Sequence, residues 1–309
     1  PGLTSDRPRR YGNDTHARAP PMLIIVGFII VILSVLGGFV LSHGKLGALW
    51  QPYEVLIICG AAFGAFLVAN PLKVVKGALL GIPGLLKGAR YKRSDYVDIL
   101  SMIYDVLVKA RKEGMIGIEK DIDNPGSSPV FSKYPRLLAD HHLMEFTTDC
   151  LRLMVSGNME PHELEQLLEI EVETHHQEAV EPAHALQVLA DSLPGFGIVA
   201  AVLGIVITMA AIGGEVAEIA HHVAAALVGT FLGILLGYGF VGPLAASMQH
   251  RAHEEGKAFE IIKMALVSSL RGYPPTVAVE FARKLLFSDV LPAFADLEAV
   301  VEMLEGFDE

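Results

Sequence analysis

Few residues in this chain could do chemistry, and they occupy two settings. Residues 193–212 and 223–244 contain no Asp, Glu, Lys, Arg or His, yet hold Pro194, Thr230 and Pro243 together with Gly229, Gly233 and Gly237. A hydroxyl in an apolar layer either lines a water path or bonds back to a carbonyl of its own helix. A proline within a helix removes a hydrogen bond and bends the axis, making a hinge, or it simply marks the end of a span. Position alone leaves both readings open. In polar surroundings Arg111 and Glu119 lie eight residues apart among other charges. Taken by themselves they read as solvated surface groups.

An absence narrows the function further. Ion-driven membrane machines hold and release their ion at an ionisable group near mid-membrane, and no apolar run here carries one in its interior. Either another chain supplies the carboxylate, or no ion flows. The pairs His141-His142, His175-His176 and His221-His222 suggest metal, but adjacent histidines on a helix point in different directions and no HExxH-like spacing accompanies them. No metal site is expected. The 2 cysteines, Cys59 in an apolar run and Cys150 in a polar segment, permit neither a disulfide framework nor a four-ligand zinc site. With no Ser/His/Asp or Cys/His constellation and no phosphate-cradling loop, neither an enzyme nor a cofactor is expected.

Holding a hydroxyl and two prolines at fixed depth requires membrane helices, and the composition supplies them. Of 309 residues 52% are hydrophobic, and the mean hydropathy is +0.44, too apolar for an ordinary soluble enzyme but with a large polar share. Spans are predicted at residues 22–41, 53–70, 193–212 and 223–244, against a hydrocarbon core of about 30 Å crossed at about 1.5 Å per residue. The second starts beside Glu54 and is uncharged from Val55 to Ala69. Gly60 with Gly64 gives it the small-xxx-small spacing of closely approaching helices. Gly229, Gly233 and Gly237 repeat that spacing on the fourth span, for packing within one chain or between copies.

Orientation follows from Lys73, Lys76, Lys87, Arg90, Lys92 and Arg93, which follow the second span with no acidic residue among them. Residues 71–190 are therefore predicted to form a cytoplasmic domain, with both termini on the same side and residues 42–52 and 213–222 outside. Tyr96, Leu100, Ile103, Leu107 and Ala110 recur at helical spacing, and Gly114 ends that helix. A second helix is predicted over residues 135–156, stopped by Gly157, and a third from Pro161 toward the membrane, interrupted around Pro182. The fourth span should run past Pro243 to about Gly272, with a last helix over residues 276–287. The fold class is all-α: a polytopic membrane protein of four transmembrane helices and a helical cytoplasmic domain. Its parts are a disordered polar extension (1–21), two spans (22–70), the cytoplasmic domain (71–190), two spans (191–244) and cytoplasmic C-terminal helices (245–309). The net charge of −11, with acidic residues crowding residues 289–309, argues against nucleic acid as a partner.

From Met22 to about Glu298 the chain resembles the A subunits of flagellar motor stators, in the wider MotA/TolQ/ExbB proton channel family. The resemblance rests on MLIIVGFIIVILSVLGGFVL with LGALWQPYE, FSKYPRLLADHHLMEFTTDCLRLMVSG, DSLPGFGIVAAVLGIV, LVGTFLGILLGYGFVGPLA and GYPPTVAVEFARKLL. ExbB and TolQ proteins have three spans and place their polar domain differently, so four spans favour the motor branch. The extension before Met22 departs from the family's usual start.

The resemblance implies roles residue by residue. Arg111 and Glu119 match a charged pair that engages the rotor switch protein FliG. Pro194 and Pro243 match two prolines associated with conformational coupling to ion passage. Thr230 matches a threonine lining the ion path beside the single membrane aspartate of a MotB-like B subunit, which explains the carboxylate missing here. Ala201 stands where sodium-driven relatives tend to have threonine, so the coupling ion is expected to be a proton rather than sodium. The resemblance further implies a homo-oligomer of five A subunits around two B subunits, anchored to peptidoglycan, in the bacterial inner membrane. The competing expectations are an ExbB/TolQ-like transducer passing work to an outer-membrane system, and a passive membrane scaffold.

Overall fold

The computed structural model of the chain describes residues 21–88, 90–157, 159–210, 212–288 and 290–292. The polar extension up to residue 20, and the acidic C-terminal stretch from residue 293 on, lie outside them. Every regular element among the described residues is helical. Four described segments are long and apolar enough to cross a membrane: Met22–Leu41, Leu46–Ala69, Pro161–Ala210 and Val216–Leu270.

Helix α1 (Pro21–Leu41) opens on a proline, whose missing N–H costs nothing in a first turn. A short 3₁₀ turn at Leu46–Leu49 leads into α2 (Pro52–Ala69), again with proline in the first turn. Buried positions on α2 recur every four residues at Glu54, Ile58, Ala62 and Phe66, so one stripe faces the rest of the chain. Helix α3 (Leu72–Leu85) then carries the chain to the polar domain.

That domain is built on α4 (Arg93–Glu113), α5 (Glu119–Asp123), α6 (Pro135–Leu138) and α7 (His141–Ser156). Tyr96, Leu100, Ile103 and Leu107 are all buried, as their spacing predicts, and Ala110 is partly buried against the same core. Gly114 and Gly157 end α4 and α7 with φ of 81° and 61°, backbone that a residue with a Cβ adopts at a cost. The single helix predicted over residues 135–156 is two. Asp140 breaks it by capping α7, accepting from the Leu143 N–H at 3.4 Å, while Arg90 Nη2 and the Tyr91 hydroxyl, each at 2.8 Å, hold the same carboxylate.

Helix α8 (Pro161–Ala210) runs 50 residues, about 75 Å, without a break. The interruption predicted at Pro182 is absent. An internal proline costs about 3 kcal/mol, but this ring packs on α3, where a methyl on Gly77 would lie 3.0 Å from its Cγ, and α9 and α10 brace α8. Helix α9 (Val216–Leu236) passes through a π-helical turn at Gly237–Val241 straight into α10 (Gly242–Leu270). The widened turn comes immediately before Pro243, whose ring would press on the carbonyl of a regular preceding turn. Two long rods thus join the membrane layer to the polar domain, where Leu164, Leu168, Phe259, Ile262 and Leu266 enter the core. Helix α11 (Pro275–Arg283) is shorter than the predicted 276–287, because buried Arg283 folds back to donate to Glu280 and the Pro292 carbonyl.

Asp98 on α4 offers a check on this packing. Burial, and then the neighbouring Asp95, push its carboxyl above the usual aspartate value, with Arg136 pulling the other way. Its ionised form is therefore disfavoured by folding: the penalty is present at neutral pH and is relieved as pH falls through the folded value. Asp98→Asn is expected to raise the unfolding midpoint at about pH 7, with the gain vanishing near pH 4. A gain independent of pH would show that packing, not ionisation, is responsible.

Candidate functional site

Of the residues singled out in the two apolar runs, Pro194, Thr230 and the three glycines meet along the seam between α8 and α9, and glycine is what lets the seam close. A methyl on Gly233 would lie 2.6 Å from the Leu193 carbonyl oxygen and 2.9 Å from Gly197 Cα. One on Gly237 would lie 2.6 Å from the Ala190 oxygen and 3.1 Å from Pro194 Cδ. From the other side, a methyl on Gly197 would lie 3.0 Å from the Gly229 oxygen and 3.4 Å from Thr230 Cα. Gly229, Gly233 and Gly237 therefore pack against α8 of their own chain. Pro194 lies inside α8, not at its end, and abuts Gly237, the first residue of the π turn that precedes Pro243. Pro243 itself is exposed and borders a groove against α1, beside Leu23, Gly27 and Phe28.

Thr208 on α8 bonds back to the Gly204 carbonyl at 2.8 Å, the common behaviour of a helical hydroxyl in lipid. Thr230 is half-buried and makes no such bond among the described residues, so its hydroxyl is open to a partner off its own helix. Ala200 is fully buried in the seam and Ala201 half-buried beside it. Gly60 and Gly64 behave differently from the seam glycines: nothing among the described residues comes within 4 Å of a methyl on either. The close approach predicted from their spacing is not made among the described residues, where α2 turns the stripe of Ile58, Ala62 and Phe66 inward instead.

One ionisable group does lie within a predicted span: Glu54, in the first turn of α2. It is 8% exposed, on the inward stripe of α2, and its Oε2 has no hydrogen-bond partner. That oxygen faces the seam: a methyl on Gly229 would lie 3.0 Å from it, 3.2 Å from Ala200 Cβ and 3.5 Å from the Ala201 nitrogen.

At the far end of the polar domain, Arg111 occupies the last turn of α4 and Glu119 opens α5. The 3₁₀ turn Met115–Ile118 separates them, pinned to the core by Ile118 at 1% exposure. Two lysines near them are satisfied internally. Lys109 pairs with the buried Asp121 at 2.7 Å, and Lys133 with Asp105 at 3.0 Å. Arg111 and Glu119 are exposed and make no ion pair or hydrogen bond among the described residues. Arg111 also borders a cleft of about 500 Å³ lined by Tyr104, Asp105, Lys109 and Lys133.

Two family models match this architecture: the motility protein A N-terminal model over residues 25–114 and the MotA/TolQ/ExbB proton channel family model over residues 139–261. Motility protein A of Salmonella typhimurium is 47% identical over 285 residues, 92% of this chain and 97% of that protein. The chain belongs to the motility protein A family. The fold agrees with a MotAB structure from C. jejuni, with a TM-score of 0.69 at 18% identity, covering 88% of this chain and 98% of that one. It agrees also with the flagellar MotAB stator complex from Bacillus subtilis, at 0.65 and 24%, covering 89% and 97%.

Motility protein A is a flagellar stator subunit and a membrane protein of a proton channel family, not of an enzyme family. Within this member, Glu54 is the group that sequence reasoning passed over. Its signal was legible: a carboxylate four residues ahead of Ile58 and eight ahead of Ala62 stands in register with an apolar stripe.

Proposed function

We propose that this stator subunit combines with a MotB-like B subunit into a proton-conducting complex of five A and two B chains in the bacterial inner membrane. The polar domain and both termini face the cytoplasm. Sodium is not the coupling ion in this reading, and the B chain supplies a membrane aspartate and the grip on peptidoglycan. Each proton that binds and leaves this aspartate shifts the α8–α9 seam through Pro194, the π turn and Pro243. The polar domain moves with it, and Arg111 and Glu119 push on oppositely charged groups of the rotor switch protein FliG.

The observation that carries this reading is mechanical. Helix α8 and the rod of α9 and α10 run without a loop from the seam into the core of the polar domain, so a shift at Pro194 reaches the charged tip through rigid helix. Uncovered apolar side chains on both rods, including Val202, Val206, Leu227 and Ile234, supply surface for neighbouring chains as well as lipid. One charge crossing about 150 mV releases roughly 3.5 kcal/mol, enough to bias a two-state contact several hundredfold.

Dye-reported proton uptake into liposomes under an imposed potential, in sodium-free buffer, tests the reading. Uptake is expected only when an unplugged B chain is present. Uptake by this chain alone, or none until sodium is added, would overturn it.

A further inference from the structure

We propose that His176 and His253 form a proton-operated joint between the two rods, closed when the imidazoles are neutral and parted when both carry a proton. This control rests on the function proposed above, in which the polar domain faces the cytoplasm and the rods carry movement from the seam to the charged tip.

His176 on α8 and His253 on α10 face each other with ring centroids 4.6 Å apart and planes at 81°, edge to face. Gly256, about one turn further along α10, lets the rods approach here: a methyl on it would lie 3.2 Å from His176 Nδ1. The pair sits between two apolar contacts along α8. Toward the seam, Pro182 packs on Gly77 of α3. Toward the polar core, the His175 ring lies 4.0 Å from that of Phe259, which meets Phe146 edge-on at 5.1 Å. Between these contacts the two rods touch through a pair of titratable rings.

An edge-to-face contact suits neutral imidazoles, and it tolerates one proton because a positive edge then meets a π face. A second proton sets like charges against each other at the same separation. His253 Nδ1 lies 2.9 Å from the Gln249 carbonyl oxygen and donates to it, so Nε2 is the nitrogen that gains and loses the proton. Around the adjacent His175 stand His142 of α7, Glu178 of α8, Glu255 of α10 and Arg90, which precedes α4. The carboxylates of this neighbourhood are already engaged. Glu255 holds Arg251 at 2.7 Å and Arg90 at 3.3 Å, Glu178 holds Lys73 of α3 at 3.1 Å, and Asp140 holds Arg90 at 2.8 Å. Glu173, one turn before His176, accepts from the Gln177 amide at 2.8 Å, and Lys257, one turn after His253, is paired with Glu260. His250 adds a further exposed ring on α10. The charge of a second imidazolium therefore goes uncompensated. Parted rods bind more protons than joined ones, so the joint is favoured at higher pH and lost as pH falls. Protons delivered to the cytoplasm would then loosen the path that carries torque.

The first test titrates the purified complex with diethylpyrocarbonate, which reacts with neutral imidazole, and reads each ring by peptide mass spectrometry. In the native complex His176 is expected to titrate over a wider pH range than a single independent group, and independent single-site curves at both rings overturn the proposal. In His253→Gln the His176 midpoint is expected to rise by about half a pH unit or more, and an unchanged midpoint overturns it. The second test follows swimming with the cytoplasm clamped by a permeant weak acid at about pH 7.5 and about pH 6, the outside pH moved in step. Native cells are expected to slow about threefold or more, His176→Gln and His253→Gln far less, and His253→Arg to be slow already at the higher pH. Native pH dependence in both glutamine variants overturns the joint and leaves the proton-conducting reading standing. That reading fails separately, by absence of proton uptake from the native complex in liposomes.

Discussion

Gly233→Val is expected to abolish swimming and to lower the amount of folded chain in the membrane several-fold. The first atom of the new side chain would sit 2.6 Å from the Leu193 oxygen, 2.9 Å from Gly197 Cα and 3.2 Å from Gly197 N. All three are backbone atoms of α8, so no rotamer change relieves the clash and the rods must separate. Overpacking of this kind costs about 1–3 kcal/mol, and parting helices in lipid recovers no hydrophobic term. The control is Gly60→Ala, which meets nothing within 4 Å and should be nearly silent. Immunoblots of membrane fractions and a motility assay decide the matter. Native levels and native swimming from Gly233→Val would mean that the seam is looser than described.

Arg111→Glu is expected to stop or severely slow swimming while leaving folded protein at its native level. The side chain is exposed and holds no partner among the described residues, so its reversal falls among surface changes worth within about 0.5 kcal/mol of zero. Lys109→Glu, two residues away, provides the contrast. It would set a second carboxylate against Asp121, which is 5% exposed and already accepts from Ser128 at 2.7 Å, and is expected to destabilise the domain by about 3 kcal/mol. A tip contact made by exposed charges should also weaken with ionic strength. Rotor binding measured with Arg111→Glu, and its recovery by a compensating charge on the rotor, tests the role. Unchanged swimming and rotor binding would remove Arg111 from the torque contact.

The helical content and the four membrane segments were legible in the residues because hydropathy windows and the 3.6-residue period are local properties. So were the stops at Gly114 and Gly157, where the chain needs positive φ. Local signals misled where tertiary contacts outweighed them. Pro182 reads as a break, yet α3 and the second rod hold α8 straight. Residues 135–156 read as one helix, yet Arg90 and Tyr91 seize Asp140 from 49 residues or more away in sequence.

The two sets of glycines show where sequence stops. Gly60 and Gly64 have the spacing of Gly229 and Gly233, and composition cannot separate them. A methyl on Gly233 would meet backbone at 2.6 Å and one on Gly229 would meet the Glu54 side chain at 3.0 Å, whereas one on Gly60 or Gly64 meets nothing within 4 Å among the described residues. The same holds for Glu54, which by position in the chain is merely the edge of a span. Its place against the seam arises because the inward stripe of α2 packs on α8 and α9. Sequence by itself determined which helices form, since each residue's preference and period are carried along one chain. Only the tertiary structure decided which faces meet and at what depth, because those depend on offsets between helices far apart in sequence.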